Sequence, residues 1–182
     1  MIPVLEISLA LLFFANKVLW LIGKRAGWLV GLVAAVGGIY YFILIKLYIF
    51  ASLEVGLAAL MWYGFSKGDK VNPRIEVLVR IALTAIMAFL TYFLFSGVMT
   101  AIEFFATLFS LWGTYFLAGT HVRWGWAIMG VGHVMSTIVF FDTNQDFFAH
   151  FQIASVIVAG TGVWKEMEKA APKPPEPIPS LP

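Results

Sequence analysis

The sequence predicts an all-α membrane protein of about seven transmembrane helices, built as two parallel three-helix repeats joined by a linker helix. Three observations carry this expectation: too few charges to coat a water-facing globule, apolar runs of membrane-crossing length, and self-similarity at an offset of 98 residues. Charged residues make up 12% of the 182 positions and hydrophobic ones 61%, whereas a soluble domain carries about 25% charged residues. The mean hydropathy is +0.89. Apolar surface on this scale must meet lipid.

A helix crossing about 30 Å of hydrocarbon needs roughly 20 apolar residues. Segment one spans 2–22 and ends at Gly23-Lys24-Arg25. Segment two spans 28–45 and ends at Lys46, and segment three spans 47–65. The most polar internal stretch follows, from Ser66 to Arg74. Segment four spans 75–95, and only Ser96 and Gly97 separate it from segment five at 98–117. This is the weakest boundary, and six segments with one long helix is the alternative count. The turn through His121 and Arg123 leads to segment six at 124–141; Asp142 to Asp146 leads to segment seven at 147–164. The resulting units are 1–65 (first repeat), 66–97 (loop and linker helix), 98–165 (second repeat) and 166–182. The last is a Pro-rich tail expected to be disordered, since Pro172-Lys173-Pro174-Pro175 cannot be helical. The first residues lack a basic stretch and a cleavage site, so segment one reads as a span and not a removable signal.

Nine of the twelve Lys and Arg follow odd-numbered segments, among them Lys24, Arg25, Lys67, Lys70, Arg123 and Lys165. The other side carries Lys46 and the acidic turn with Asp142 and Asp146. Retention of basic loops in the cytoplasm then places the N-terminus outside and the C-terminus inside.

At the offset of 98, Trp28 meets Trp126, Phe42 meets Phe140, Phe50 meets Phe148, Ala51 meets Ala149 and Gly64 meets Gly162, with no gaps. Segments one to three thereby match five to seven, with segment four between them. Parallel repeats of this kind hold substrate between the two bundles near the midplane.

Ionisable groups inside a membrane are costly and point to function. Glu54 lies in segment three, and its repeat mate Gln152 lies at similar depth in segment seven. Both can accept hydrogen bonds from a solute, and Glu54 can balance a cationic ring; the alternative for Glu54 is pairing with Lys17, Asn16 or another helix. His133 falls near mid-bilayer in segment six, seven residues after Trp126 and so on the same face. Gly130 between them is expected to leave a dent for a flat ring, making an aromatic wall, a gap and a donor. A structural histidine bonded between helices is the competing reading. Asn16, Trp112, Tyr115 and Trp62 are weaker candidates for the same pocket. Trp28, Trp124 and Trp164 stand at segment ends, where interfacial anchoring accounts for them. Glu76 and Arg80, four apart, suit a structural ion pair.

Several classes are disfavoured. The chain has no cysteine, which excludes disulfides and thiolate chemistry. Metalloprotease, serine-hydrolase and phosphate-loop signatures are missing, so neither an enzyme nor a cofactor or metal is expected. A net charge of +2 gives no case for nucleic acid. Haem ligation by His133 and His150 is an alternative, weakened by their unequal depths. A scaffold subunit of a membrane complex is another.

The text Ala15-Asn16-Lys17-Val18-Leu19, Gly27-Trp28-Leu29-Val30-Gly31 and Met61-Trp62-Tyr63-Gly64-Phe65 resembles the first repeat of the PnuC family of vitamin transporters, related in architecture to SWEET sugar transporters. Val122-Arg123-Trp124-Gly125-Trp126 and Gly160-Thr161-Gly162-Val163-Trp164 resemble its second. The resemblance covers residues 5–165, mostly as pattern. It implies a bacterial inner-membrane protein carrying a vitamin such as nicotinamide riboside by facilitated diffusion, with phosphorylation by a cytoplasmic kinase trapping it. Membrane lipids surround such a chain, and a homo-oligomer is compatible with it. In that family segment six carries a Trp-x-x-Trp pair with Asn or a similar residue one turn later. Here the pair is Trp124-x-Trp126, Gly130 follows, and the polar residue is His133. Those changes suit another vitamin as well, thiamine or riboflavin.

Overall fold

A computed structural model describes residues 2–66, 98–119 and 121–170, together with Arg74, Val77, Leu78, Ile81, Ala82, Thr84, Ala85 and Phe89 as single positions. Regular structure among the described residues is entirely helical. The helices are α1 (Ile2–Leu21), α2 (Ala26–Leu44), α3 (Tyr48–Ser66), α4 (Val98–Ala118), α5 (Val122–Asp142) and α6 (Asp146–Ala170). All six are long and apolar enough to cross a membrane. In hydrocarbon no water can serve a bare N–H or C=O, so each crossing closes its own ladder. The fold is that of a multi-pass helical membrane protein.

The first three helices occupy segments one to three, and α4, α5 and α6 occupy segments five to seven. Segment four, with Glu76 and Arg80, falls outside the described residues apart from the single positions, each of which is helical. One boundary is corrected: α6 continues past Trp164 to Ala170, where a disordered tail was expected from 166. Lys165 to Lys169 are good helix formers. They also pair along the surface: Lys169 binds Glu166, and the Trp164 indole N–H donates to Glu168 at 2.7 Å. The Pro-rich run at 172–175 lies outside the described residues.

The helices form a closed ring. Each packs on its neighbour in chain order, α3 packs on α4, and α6 returns to α1. The α1–α2 turn lies beside the end of α3, where the Arg25 guanidinium donates to the Phe65 carbonyl. This end carries Lys24, Arg25, Lys165 and Lys169 around a common hollow and is the basic end. At the other end, Glu6 near the start of α1 reaches the first turn of α6, and Glu103 near the start of α4 reaches the first turn of α3. Both α3 and α4 therefore begin at this second end. Since α3 finishes at the basic end, Ser66 and Val98 lie at opposite ends of the ring.

The α2–α3 and α5–α6 turns have the same construction. Helix α2 closes with Lys46 N–H donating to Ile43 O and Leu47 N–H to Phe42 O, at 3.2 and 2.9 Å. Helix α5 closes with Asn144 N–H to Phe141 O and Gln145 N–H to Phe140 O, at 3.2 and 2.8 Å. Every partner differs by the sequence offset of 98. Each is a Schellman closure, which needs one left-handed residue; Lys46 (φ 62°) and Asn144 (φ 57°) supply it. Side-chain packing follows the same offset. The Trp28 ring lies on Gly64 and the Trp126 ring on Gly162, so close that a methyl on either glycine would fall 2.5 or 2.4 Å from the indole.

Candidate functional site

Inside the ring lies a cavity of about 60 Å³ lined from all six helices. Helical spacing selects the lining. In α5, Met129, His133, Ser136 and Phe140 follow one another at intervals of three or four and face inward together. In α3 the inward stripe is Phe50, Leu53, Glu54, Leu57 and Met61. Helix α1 contributes Phe13, Asn16, Lys17 and Trp20; α4 contributes Ser110 and Thr114; α6 contributes Phe148 and Gln152.

Small residues on α2 let the polar side chains in. A methyl on Gly31 would lie 2.6 Å from Asn16 Nδ2, and one on Gly38 3.1 Å from Glu54 Cγ. Asn16 is fixed by donating to the Gly27 carbonyl at 2.8 Å. Lys17 is 7% exposed. Its ammonium donates to Phe13 O at 3.3 Å and lies 5.8 Å from the Phe13 ring centre.

Four side chains bordering this cavity hold buried polar atoms that meet no partner at full hydrogen-bond geometry: Trp20 Nε1, Glu54 Oε2, both nitrogens of His133 and Gln152 Oε1. Gln152 is nonetheless the polar neighbour of the His133 ring, and Glu54 feels the charge of Lys17. Buried polar groups are normally satisfied, and an orphan costs about 1–3 kcal/mol. Gln152 Oε1 accepts only, the Glu54 carboxyl accepts and, when protonated, also donates, and a neutral imidazole adds one donor and one acceptor. The set is complementary to a compact solute with several N–H or O–H groups.

The cavity is shut at one end by four phenylalanines. Phe42 and Phe50 stand 5.4 Å apart between ring centres, Phe140 and Phe148 5.1 Å. Across the ring, Phe42 meets Phe140 at 6.0 Å and Phe148 at 5.7 Å, and Phe50 meets Phe140 at 5.0 Å. At the basic end a larger hollow of about 460 Å³ lies between Trp20, Trp28 and Trp126, rimmed by Lys24, Arg25 and Lys165. Trp20 borders both spaces.

Of the residues singled out from sequence, Glu54, Gln152, His133 and Asn16 line the central cavity. Trp126 does not; it is buried on Gly162 and borders the basic hollow. The expected dent at Gly130 is taken up by α6, since a methyl there would touch Ala159 Cβ at 3.4 Å. Trp62 is 59% exposed on the outer face beside Phe65. The Trp112 indole N–H donates to Thr84 Oγ1 at 3.2 Å, toward segment four. Tyr115 packs on the apolar core and on Phe116, away from the cavity. His150 is exposed, with Nδ1 2.6 Å from the Asp146 carbonyl oxygen, and does not share a site with His133. Trp124 and Trp164 are 60% and 64% exposed, as interfacial anchors are.

Lys17, Ser110, Thr114 and Ser136 also line the cavity and were not expected there from the sequence. Signals were present for three of them. Lys17 adjoins Asn16, Ser136 follows His133 by three, and Thr114 stands 98 residues after Asn16. Glu6 and Glu103 stand near the ends of segments one and five, and the sequence alone gives neither a role. Compared with known proteins, the chain matches no family model, no curated protein and no solved structure.

Proposed function

We propose that this chain carries a small vitamin or nucleoside across a membrane by facilitated diffusion, through the centre of the helix ring. The observation that carries the reading is the convergence of four orphan polar atoms, from Glu54, His133 and Gln152, in a cavity that every described helix lines. A scaffold subunit has no need of unsatisfied groups at its centre, where each is destabilising. In a carrier the solute satisfies them.

Other features support two parallel three-helix repeats. Turn closures, ring pairs and glycine–tryptophan contacts recur at one offset. Seven crossings are supported by Ser66 and Val98 lying at opposite ends. Positive residues at the basic end favour its placement in the cytoplasm, with the phenylalanine end outside. This conformation is then closed outward and open inward. At about 60 Å³ the cavity is far below the roughly 300–1,000 Å³ of a small-molecule pocket, so a vitamin enters only after the two halves move apart.

The resemblance to the PnuC family names nicotinamide riboside as the first solute to test, with thiamine and riboflavin beside it. The experiment is a thermal-shift screen of purified protein against that panel, followed by uptake into proteoliposomes. A ligand of the folded state raises the melting temperature by mass action. Silence in both assays would sink the transporter reading and favour the scaffold.

A further inference from the structure

The phenylalanine end is fastened by two carboxylates that cross between the halves. The first N–H groups of any helix lack an internal partner. In α3 the first internal bond is Ala51 N–H to Leu47 O, and in α6 it is Ala149 N–H to Gln145 O. Phe50 N–H and Phe147 N–H thus need acceptors from elsewhere, and neither turn offers a local cap. Each half supplies the other. Glu103 of α4 accepts from Phe50 N–H at 3.1 Å. Glu6 of α1 accepts from Phe147 N–H at 3.1 Å, with Phe148 N–H at 3.4 Å. Glu6 is 8% and Glu103 9% exposed. A third tie crosses beside them, from the Tyr41 hydroxyl to Gln145 Oε1.

The capped residues belong to the closure itself. Phe50 and Phe148 are two of the four rings that shut the cavity. We infer that Glu6 and Glu103 are a crossed latch that holds the phenylalanine end closed, and that this end opens only when both caps are released together. The inference rests on the transporter reading for its purpose, but not for its measurement. Separating the halves at this end bares two helix starts at once. The latch therefore favours the inward-open state until a solute repays the lost bonds, and both caps must break in one event because each ties the same two bodies.

The chain has no cysteine, so a reporter pair needs no background removed. Tyr48 and Asp146 are the exposed first residues of α3 and α6. Nitroxides on Tyr48→Cys and Asp146→Cys in the full chain report the separation of the two helix starts by pulsed electron paramagnetic resonance. The parent gives one narrow distance component. Glu6→Ala with Glu103→Ala gives a second, longer component. The Glu6→Gln, Glu103→Gln pair retains the narrow one, because an amide oxygen still accepts from N–H. An alanine pair that folds and keeps the parent distribution overturns the latch, as does a glutamine pair that opens as far as the alanine pair. If the alanine pair does not fold, amide exchange on the parent decides. Phe50 and Phe147 N–H then lose protection in one correlated step, and independent exchange of the two overturns the proposal. No solute enters either measurement, so a failed uptake assay and a failed latch are told apart.

Discussion

At the scale of single residues, the cavity separates groups that build the protein from groups that wait for a partner. Asn16 has its bond to Gly27 O and holds α1 to α2. Glu54, His133 and Gln152 keep buried atoms unspent. Removing a spent group should cost folding; removing an unspent one should cost binding. Glu54→Gln, His133→Ala and Gln152→Ala are each expected to express and melt near the parent. Solute affinity in calorimetry or uptake should fall by about 5- to 150-fold, corresponding to about 1–3 kcal/mol for one unpaired group on the solute. Glu54→Gln should weaken a cationic solute more than a neutral one, since it removes charge and little shape. Asn16→Ala should instead lower the melting temperature. Three variants that bind normally, or that fail only by misfolding, would place the solute elsewhere.

At the scale of elements, two devices recur in both halves, and each sets its own expectation. The Trp28–Gly64 and Trp126–Gly162 contacts leave no room for a methyl. Gly64→Ala and Gly162→Ala should each destabilise by about 1–3 kcal/mol, the usual cost of overpacking. Gly160 on the same helix has nothing within 4 Å of its would-be Cβ. Gly160→Ala should be neutral or slightly stabilising, since alanine is the better helix former. Thermal melting in detergent reads all three, and equal losses at Gly160 and Gly162 would remove the packing explanation. The turns give the second test. Lys46 holds a left-handed conformation (φ 62°) that costs an ordinary side chain about 1–2 kcal/mol. Lys46→Gly should raise stability, and Asn144→Ala at the equivalent φ of 57° should lower it. Much of this level was legible beforehand. Apolar runs located the six described helices to within two residues except at the end of α6, because lipid forces the chain into whole crossings. The aromatic and glycine coincidences at one offset marked contacts that the structure places at matching positions. What sequence hid was direction around the helix. Trp126 and His133 share a face by spacing, yet Trp126 faces α6 and the basic hollow while His133 meets the cavity, since a helix in a ring has two flanks as well as an inner face. Glu6 and Glu103 were unreadable as caps because their partners lie in the other half of the chain.

At the scale of the whole molecule, the direction of the described helices bears on the proposed count of crossings. Helix α1 starts at the phenylalanine end, since Glu6 meets the first turn of α6 there. Helix α6 starts at the same end and runs to the basic end, where Lys165 and Lys169 border the hollow with Lys24 and Arg25. Helices α3 and α4 also run the same way, because Glu103 meets the first turn of α3. Two consecutive described helices thus run in one direction, and on the proposal of seven crossings the chain recrosses the membrane between Ser66 and Val98, with the two ends expected on opposite faces. The basic end has Lys24 and Arg25 in one turn, Arg123 at the start of α5 and Lys165 and Lys169 on α6, and in the sequence Lys67, Lys70 and Arg74 follow Ser66. The phenylalanine end has Lys46 against Asp142 and Asp146. Loops this short orient by their Lys and Arg, which stay in the cytoplasm. A fluorescent protein fused at the C-terminus should therefore mature in the cytoplasm, while an N-terminal epitope should be reached by antibody on intact spheroplasts. A single cysteine at Lys70 should react with a membrane-impermeant thiol reagent only from the cytoplasmic side. Both ends on one side would reject the odd count, and with it the parallel arrangement of the halves. Opposite ends with the N-terminus inside would keep the count and reverse the direction, making the basic hollow the outer mouth.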